Sequence, residues 1–182
     1  LVLLVAAGLL LRSVQRLFAM PPGFDPTERL TMQVQVAGQR FRDAETSHRF
    51  FDSVLEAVRQ VPGVTAAAFT SQLPLSGDEE AYGVHFESTP PAAAEEDPSA
   101  YRYAVSPGYF AAMGIPLRTG RALDSHDGAG APLVAVINES FARRRLPGLN
   151  PIGQRLHIGP NSGPWFTVVG VVGDVTQTSL AV

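Results

Sequence analysis

Leu30, Met32, Val34 and Val36 alternate with Thr31, Gln33 and Gln35, a period of two that predicts a strand buried on one face. The period then lengthens. Phe50, Phe51, Val54, Leu55, Val58 and Val61 fall on one helical stripe, while Arg49, Asp52, Glu56 and Arg59 lie off it. Asp43 can cap this helix and Pro62-Gly63 ends it. Residues 64–70 read as a second strand, so strand, helix and strand predict a right-handed βαβ crossover with the helix packed on the sheet. Tyr82, Val84 and Phe86 alternate again as a third strand.

Residues 88–100 carry too few large apolar side chains to pack and predict an exposed linker between two subdomains. Beyond them Tyr101, Tyr103 and Val105 suggest a strand. Ser106 as N-cap and Pro107 at the first helical position predict a short helix through Ala112, ended by Gly114. Residues 133–137 form a continuous apolar run of strand length. Asn138 follows as the N-cap of a helix with Glu139 early and Arg143, Arg144 and Arg145 late, which suits the helix dipole. Pro147-Gly148 stops that helix. Residues 155–158 and 165–172 read as strands, the second with little polar surface. The second half is therefore also α+β, and there is no internal repeat.

The first eleven residues are apolar on every face, too short to cross a bilayer alone and without the basic start and cleavage site of a signal peptide. They read as the end of a transmembrane helix, the alternative being a buried core helix. Met20-Pro-Pro-Gly-Phe-Asp-Pro26 is a breaker-rich hinge after it. With 182 residues and 45% hydrophobic content the chain can build a packed core as one domain or two small ones. A net charge of −3 offers no broad basic field for nucleic acid. The absence of cysteine excludes disulfides, thiolate metal sites and a cysteine nucleophile.

Motifs that carry chemistry are not found. No Gly-Lys-Ser or Gly-Lys-Thr loop is present to cradle phosphates. Gly128-Ala-Gly130 begins like a dinucleotide fingerprint, but Leu133 stands where the third glycine belongs, so a turn is the better reading. His48, His85, His126 and His157 are scattered and read as surface or strand-face residues. Asp124, His126 and Asp127 are the nearest approach to a ligand cluster, in a Gly-rich segment that favours turn chemistry. No Gly-x-Ser-x-Gly elbow exists. The three arginines read as solvated dipole partners, and Asn138-Glu-Ser140 matches a glycosylation sequon whose asparagine is needed as a cap. Trp165 and Phe166 read as core. No catalytic, cofactor-binding or metal-binding residue is assigned, and no cofactor is expected.

One ordered series stands out: Val105-Ser-Pro-Gly-Tyr-Phe110, Met113-Gly-Ile-Pro-Leu-Arg-Thr-Gly-Arg121, Val134-Ala-Val-Ile-Asn-Glu-Ser140, Pro151-Ile-Gly-Gln-Arg155 and Thr167-Val-Val-Gly-Val-Val-Gly-Asp174. In order and spacing it resembles the periplasmic core domain of MacB-like permeases of the ABC transporter superfamily, in particular the duplicated-permease branch. Pro22-Gly-Phe-Asp-Pro26, Val61-Pro-Gly-Val64 and Leu73-Pro-Leu-Ser-Gly77 extend the resemblance over nearly the whole chain.

The resemblance implies an α+β fold. A transmembrane helix would end within 1–18, a Porter-like βαβ subdomain would begin with 25–87, 88–100 would link, and an inserted Sabre-like α+β subdomain would cover 101–175. The Porter-like half would be completed by chain beyond 182, which leaves one sheet incomplete. The resemblance further implies a non-catalytic domain in the periplasm, on a permease subunit of the bacterial inner membrane. It would transmit conformational change between membrane helices and a periplasmic substrate or partner protein. The permease would act as a dimer with a cytoplasmic ABC ATPase domain or subunit. Arg12 and Arg16 would favour a cytoplasmic flank under the positive-inside rule, against that placement. The alternative from another class is a membrane-anchored extracytoplasmic module that binds a peptide or lipid outside any transporter.

Overall fold

The structure, a computed structural model, describes residues 7–12, 15, 21–77, 80–88, 99–128, 130–159 and 163–177. Residues 7–12 and 15 are helical, and the rest of the expected transmembrane segment lies outside the described residues. Among the described residues no helix is long and apolar enough to cross a membrane.

The first long helix, α1 (Ala44–Arg59), forms as its stripe predicts. The Asp43 carboxylate accepts the Thr46 amide at 2.8 Å, Glu45 lies in the first turn and Arg59 in the last. Its apolar stripe, however, does not pack on a sheet. Residues 30–36 pair with no strand among the described residues, and Leu30 and Met32 are 89% and 67% exposed. Residues 64–69 form no strand either; only Thr70 makes an isolated antiparallel bridge, to Val105. The expected βαβ crossover is therefore absent from the described residues. Alternation supplies a face to bury but no ladder partner. The helix instead packs through Phe51 on Phe69, edge to face at 4.9 Å, and Arg59 donates to the Ala67 carbonyl at 3.2 Å.

The sheet has six strands: β1 (Ala81–Phe86), β2 (Ser99–Tyr101), β3 (Leu117–Gly120), β4 (Val134–Asn138), β5 (Arg155–Ile158) and β6 (Trp165–Val172). The spatial order is β2-β1-β5-β6-β3, and β4 pairs with the other side of β6. Only the β4–β6 pairing is parallel. The expected third strand, at 81–86, thus pairs into the sheet of the second half through β5. Ser99 and Ala100 are already in β2, while 89–98 of the expected linker lie outside the described residues.

Two short α-helices, α2 (Tyr109–Ala112) and α3 (Glu139–Arg145), and two 3-10 helices, Gln39–Arg42 and Ser125–Asp127, are also present. Ser106 does not cap α2: Gly108 takes the N-cap position, and the Ser106 hydroxyl accepts the Phe69 amide at 2.8 Å. On one face of the sheet α3 closes a core of Val84, Phe86, Leu146, Leu156, Val168 and Val171. The other core joins Tyr109, Ile115 and Val172 to Phe24, Val136 and Val175. Val171 and Val172 of β6 therefore serve opposite cores, and the register shift past Val169 returns Val168 to the face of Val171.

Candidate functional site

The breaker-rich segment after the apolar run is bonded into the domain rather than left as a free hinge. Asp25 N donates to the Met113 carbonyl at 2.9 Å, and Thr176 N donates to the Pro22 carbonyl at 2.8 Å. Phe24, between them, packs in the second core. Leu75 N donates to the Gln177 carbonyl at 2.8 Å, and the Tyr103 hydroxyl donates to Gln177 Oε1 at 2.6 Å. Segments 21–25 and 173–177 thus form a clasp that also holds 70–75 and the turn after α2.

The clasp depends on bare backbone. A Cβ on Gly23, where φ is +84°, would stand 2.0 Å from the Asp174 carbonyl oxygen. A Cβ on Gly114, where φ is +67°, would stand 2.9 Å from the Asp25 Cβ. Both positions combine positive φ with a close approach, and glycine alone satisfies both demands.

Asp174 links the clasp to the sheet and α3. Its Oδ1 accepts Asn138 Nδ2 at 2.6 Å and the Ser140 amide at 2.8 Å; its Oδ2 accepts the Ser140 hydroxyl at 2.5 Å and Arg143 at 3.3 Å. Asn138 occupies the N-cap position of α3, but its side chain does not cap; the carboxylate 36 residues downstream takes that role. Partial burial raises the Asp174 pKa, yet the bonds from Ser140 and Asn138 and the charge of Arg143 outweigh it, leaving the carboxyl below its ordinary value.

The arginine run is not solvated as a unit. Arg143 faces Asp174, and Arg145 donates to the Val84 carbonyl at 3.2 Å. Asp124 and Asp127 are engaged by their own turn. Asp127 holds Arg121 with bonds of 2.6 and 2.7 Å, and the Asp124 amide donates back to Asp127 at 2.9 Å. Ala129, in the glycine turn, lies outside the described residues. The Arg121 hydrogen bonds hold the Asp127 carboxyl down at about 2. A lowered folded-state value stabilises above the unfolded pKa, near 4, and that contribution is lost as pH falls through about 2. Arg121→Ala should therefore return the Asp127 titration toward 3.8, read by carboxyl NMR. The stability gap between wild type and variant should also narrow from pH 5 to pH 2.

The histidines are not all scattered. His85 and His157 face each other across β1 and β5 with ring centroids 4.8 Å apart. His157 is buried, and its Nδ1 has no hydrogen-bond partner among the described residues. Trp165 meets its edge at 5.1 Å and carries Arg155 over its ring at 5.0 Å. With 40% of its surface exposed, Trp165 caps the end of β6 rather than filling the core. Nearby, Tyr82, Arg102, Ile158, Gly159, Pro164 and Phe166 line a shallow cavity of about 240 Å³. Among the described residues no group of three or more metal-ligating side chains forms.

These features define an α+β domain whose special geometry is a backbone clasp tied to a sheet, with no convergent set of reactive groups among the described residues. The chain belongs to the MacB-like periplasmic core domain family, which matches residues 1–181. Among solved structures it is similar to the periplasmic region of MacB from Actinobacillus actinomycetemcomitans, at 19% identity and a TM-score of 0.49, covering 70% of this chain and 53% of that one. It is also similar to the extracellular domain of the noncanonic ABC-type transporter YknZ from Gram-positive bacteria, at 15% identity and a TM-score of 0.48, covering 69% and 59%. The chain thus spans between half and three fifths of the length of these two structures. No curated protein matches it.

Proposed function

We propose that this chain is the extracytoplasmic domain of an ABC transporter permease subunit in the bacterial inner membrane. It has no active site and passes movement between membrane helices and a periplasmic substrate or partner protein. The permease works as a dimer with a cytoplasmic ABC ATPase. Family membership supports the setting, and the clasp carries the mechanical reading. A flexible tether would absorb displacement; a segment bonded at Pro22 and Asp25 and packed at Phe24 hands it to β6 and the turn after α2. Within the domain, residues 25–87 with α1 constitute the first half of the Porter-like part. Residues 101–175 constitute the Sabre-like part, and β1 pairs into its sheet through β5.

The test uses the intact permease complex and hydrogen exchange of this domain, nucleotide-free against ATP-bound. ATP should change exchange in β6 and α3. Two glycines inserted between Pro21 and Pro22 should abolish that change while ATP hydrolysis continues. An unaltered response in the lengthened protein would overturn the reading.

A further inference from the structure

We infer that Asp174 is a positioning residue that makes α3 and β4 open and close with the clasp, so that one carboxylate joins the two halves of the mechanical path. The inference rests on the proposed transmission role for its purpose, but its geometry stands independently. The Asp174 carbonyl oxygen lies against Gly23, and two residues on Thr176 N is bonded to the Pro22 carbonyl. The Asp174 side chain reaches the other way, to Asn138 at the end of β4 and to Ser140 in the first turn of α3. Besides the packing of Phe24, a displacement of 21–25 thus reaches α3 through one residue whose main chain and side chain face different elements.

The charge matters as well as the shape. Four donors converge on the carboxylate: Asn138 Nδ2, the Ser140 amide, the Ser140 hydroxyl and Arg143. Hydrogen bonds to a charged acceptor are stronger than neutral ones, and α3 has only seven residues with which to hold its own first turn. Asn138 does not supply a side-chain cap, so the turn relies on Asp174. Arg118, on β3, pairs with Glu139 at 3.2 Å and adds a second tie to the same turn.

The test is a double-mutant cycle read by hydrogen exchange of residues 138–145 in the intact permease without nucleotide. Gly23→Ala, which opens the clasp, should speed exchange at Ser140 about tenfold in the wild-type background. Asp174→Asn should speed it by a similar factor, and adding Gly23→Ala to Asp174→Asn should change it by less than about twofold. Ser140→Ala, which keeps the amide bond and loses only the hydroxyl, should give an intermediate cycle and guards against a folding failure of the Asp174 variant. The inference is overturned if Gly23→Ala leaves Ser140 exchange unchanged, or if its full effect persists on top of Asp174→Asn. Because nucleotide is absent, failure of the transmission reading shows separately, as a missing ATP response in the wild type.

Discussion

Gly23→Ala should release segment 21–25 from the domain while leaving the sheet folded. The added Cβ would sit 2.0 Å from the Asp174 carbonyl oxygen at a residue whose φ is +84°. The obstacle is backbone, so no side-chain rotation relieves it, and the strained φ adds to the cost. Together these amount to about 2–3 kcal/mol, enough to open a local element but below the 5–15 kcal/mol that holds a typical domain. Loss of the Thr176–Pro22 and Asp25–Met113 bonds should raise amide exchange at Asp25 and Thr176 some thirtyfold or more. The β1–β5 amides, on the far side of the sheet, should keep their wild-type protection. Equal exchange in both regions would mean that the clasp is no separate unit.

The parts of the fold legible in the sequence are those decided by neighbours along the chain. Asp43 caps α1 because its acceptor lies three residues from the Thr46 amide, and the apolar runs at 133–137 and 165–172 give β4 and β6, which pair in parallel. Residues 30–36 failed because their alternation describes one face and says nothing of the strand that must lie beside it. The strand at 81–86 is legible from its alternation but its ladder partner is not, since β5 lies about 70 residues further on. The site was hidden for the same reason. Nothing local to Asp174 marks it as the cap of a helix that starts at 139, and Asn138, the natural cap by position, donates its amide to that carboxylate instead. Likewise the clasp joins residues about 150 apart, and only the glycine at 23 and the breakers around it hinted that backbone comes close there.

Phe86→Ala should have the opposite character, a global loss without a local signature. Phe86 is 3% exposed, packs with Phe141 at 5.9 Å between centroids, and shares its core with Val84, Leu156 and Val168. Truncating a buried phenylalanine costs about 3–5 kcal/mol, the transfer loss plus the cavity left behind. The loss cannot stay on one face of the sheet. Val171 faces the α3 core and Val172 the clasp core, so strands that separate on one side free the other. Urea unfolding of the intact protein, followed by the intrinsic fluorescence of Trp165, should show the midpoint falling with little change in slope. Exchange should rise together in β1, β6 and the clasp, unlike the confined change at Gly23. A loss below about 1 kcal/mol would show that Phe86 is not enclosed, and that α3 does not close the core over β1.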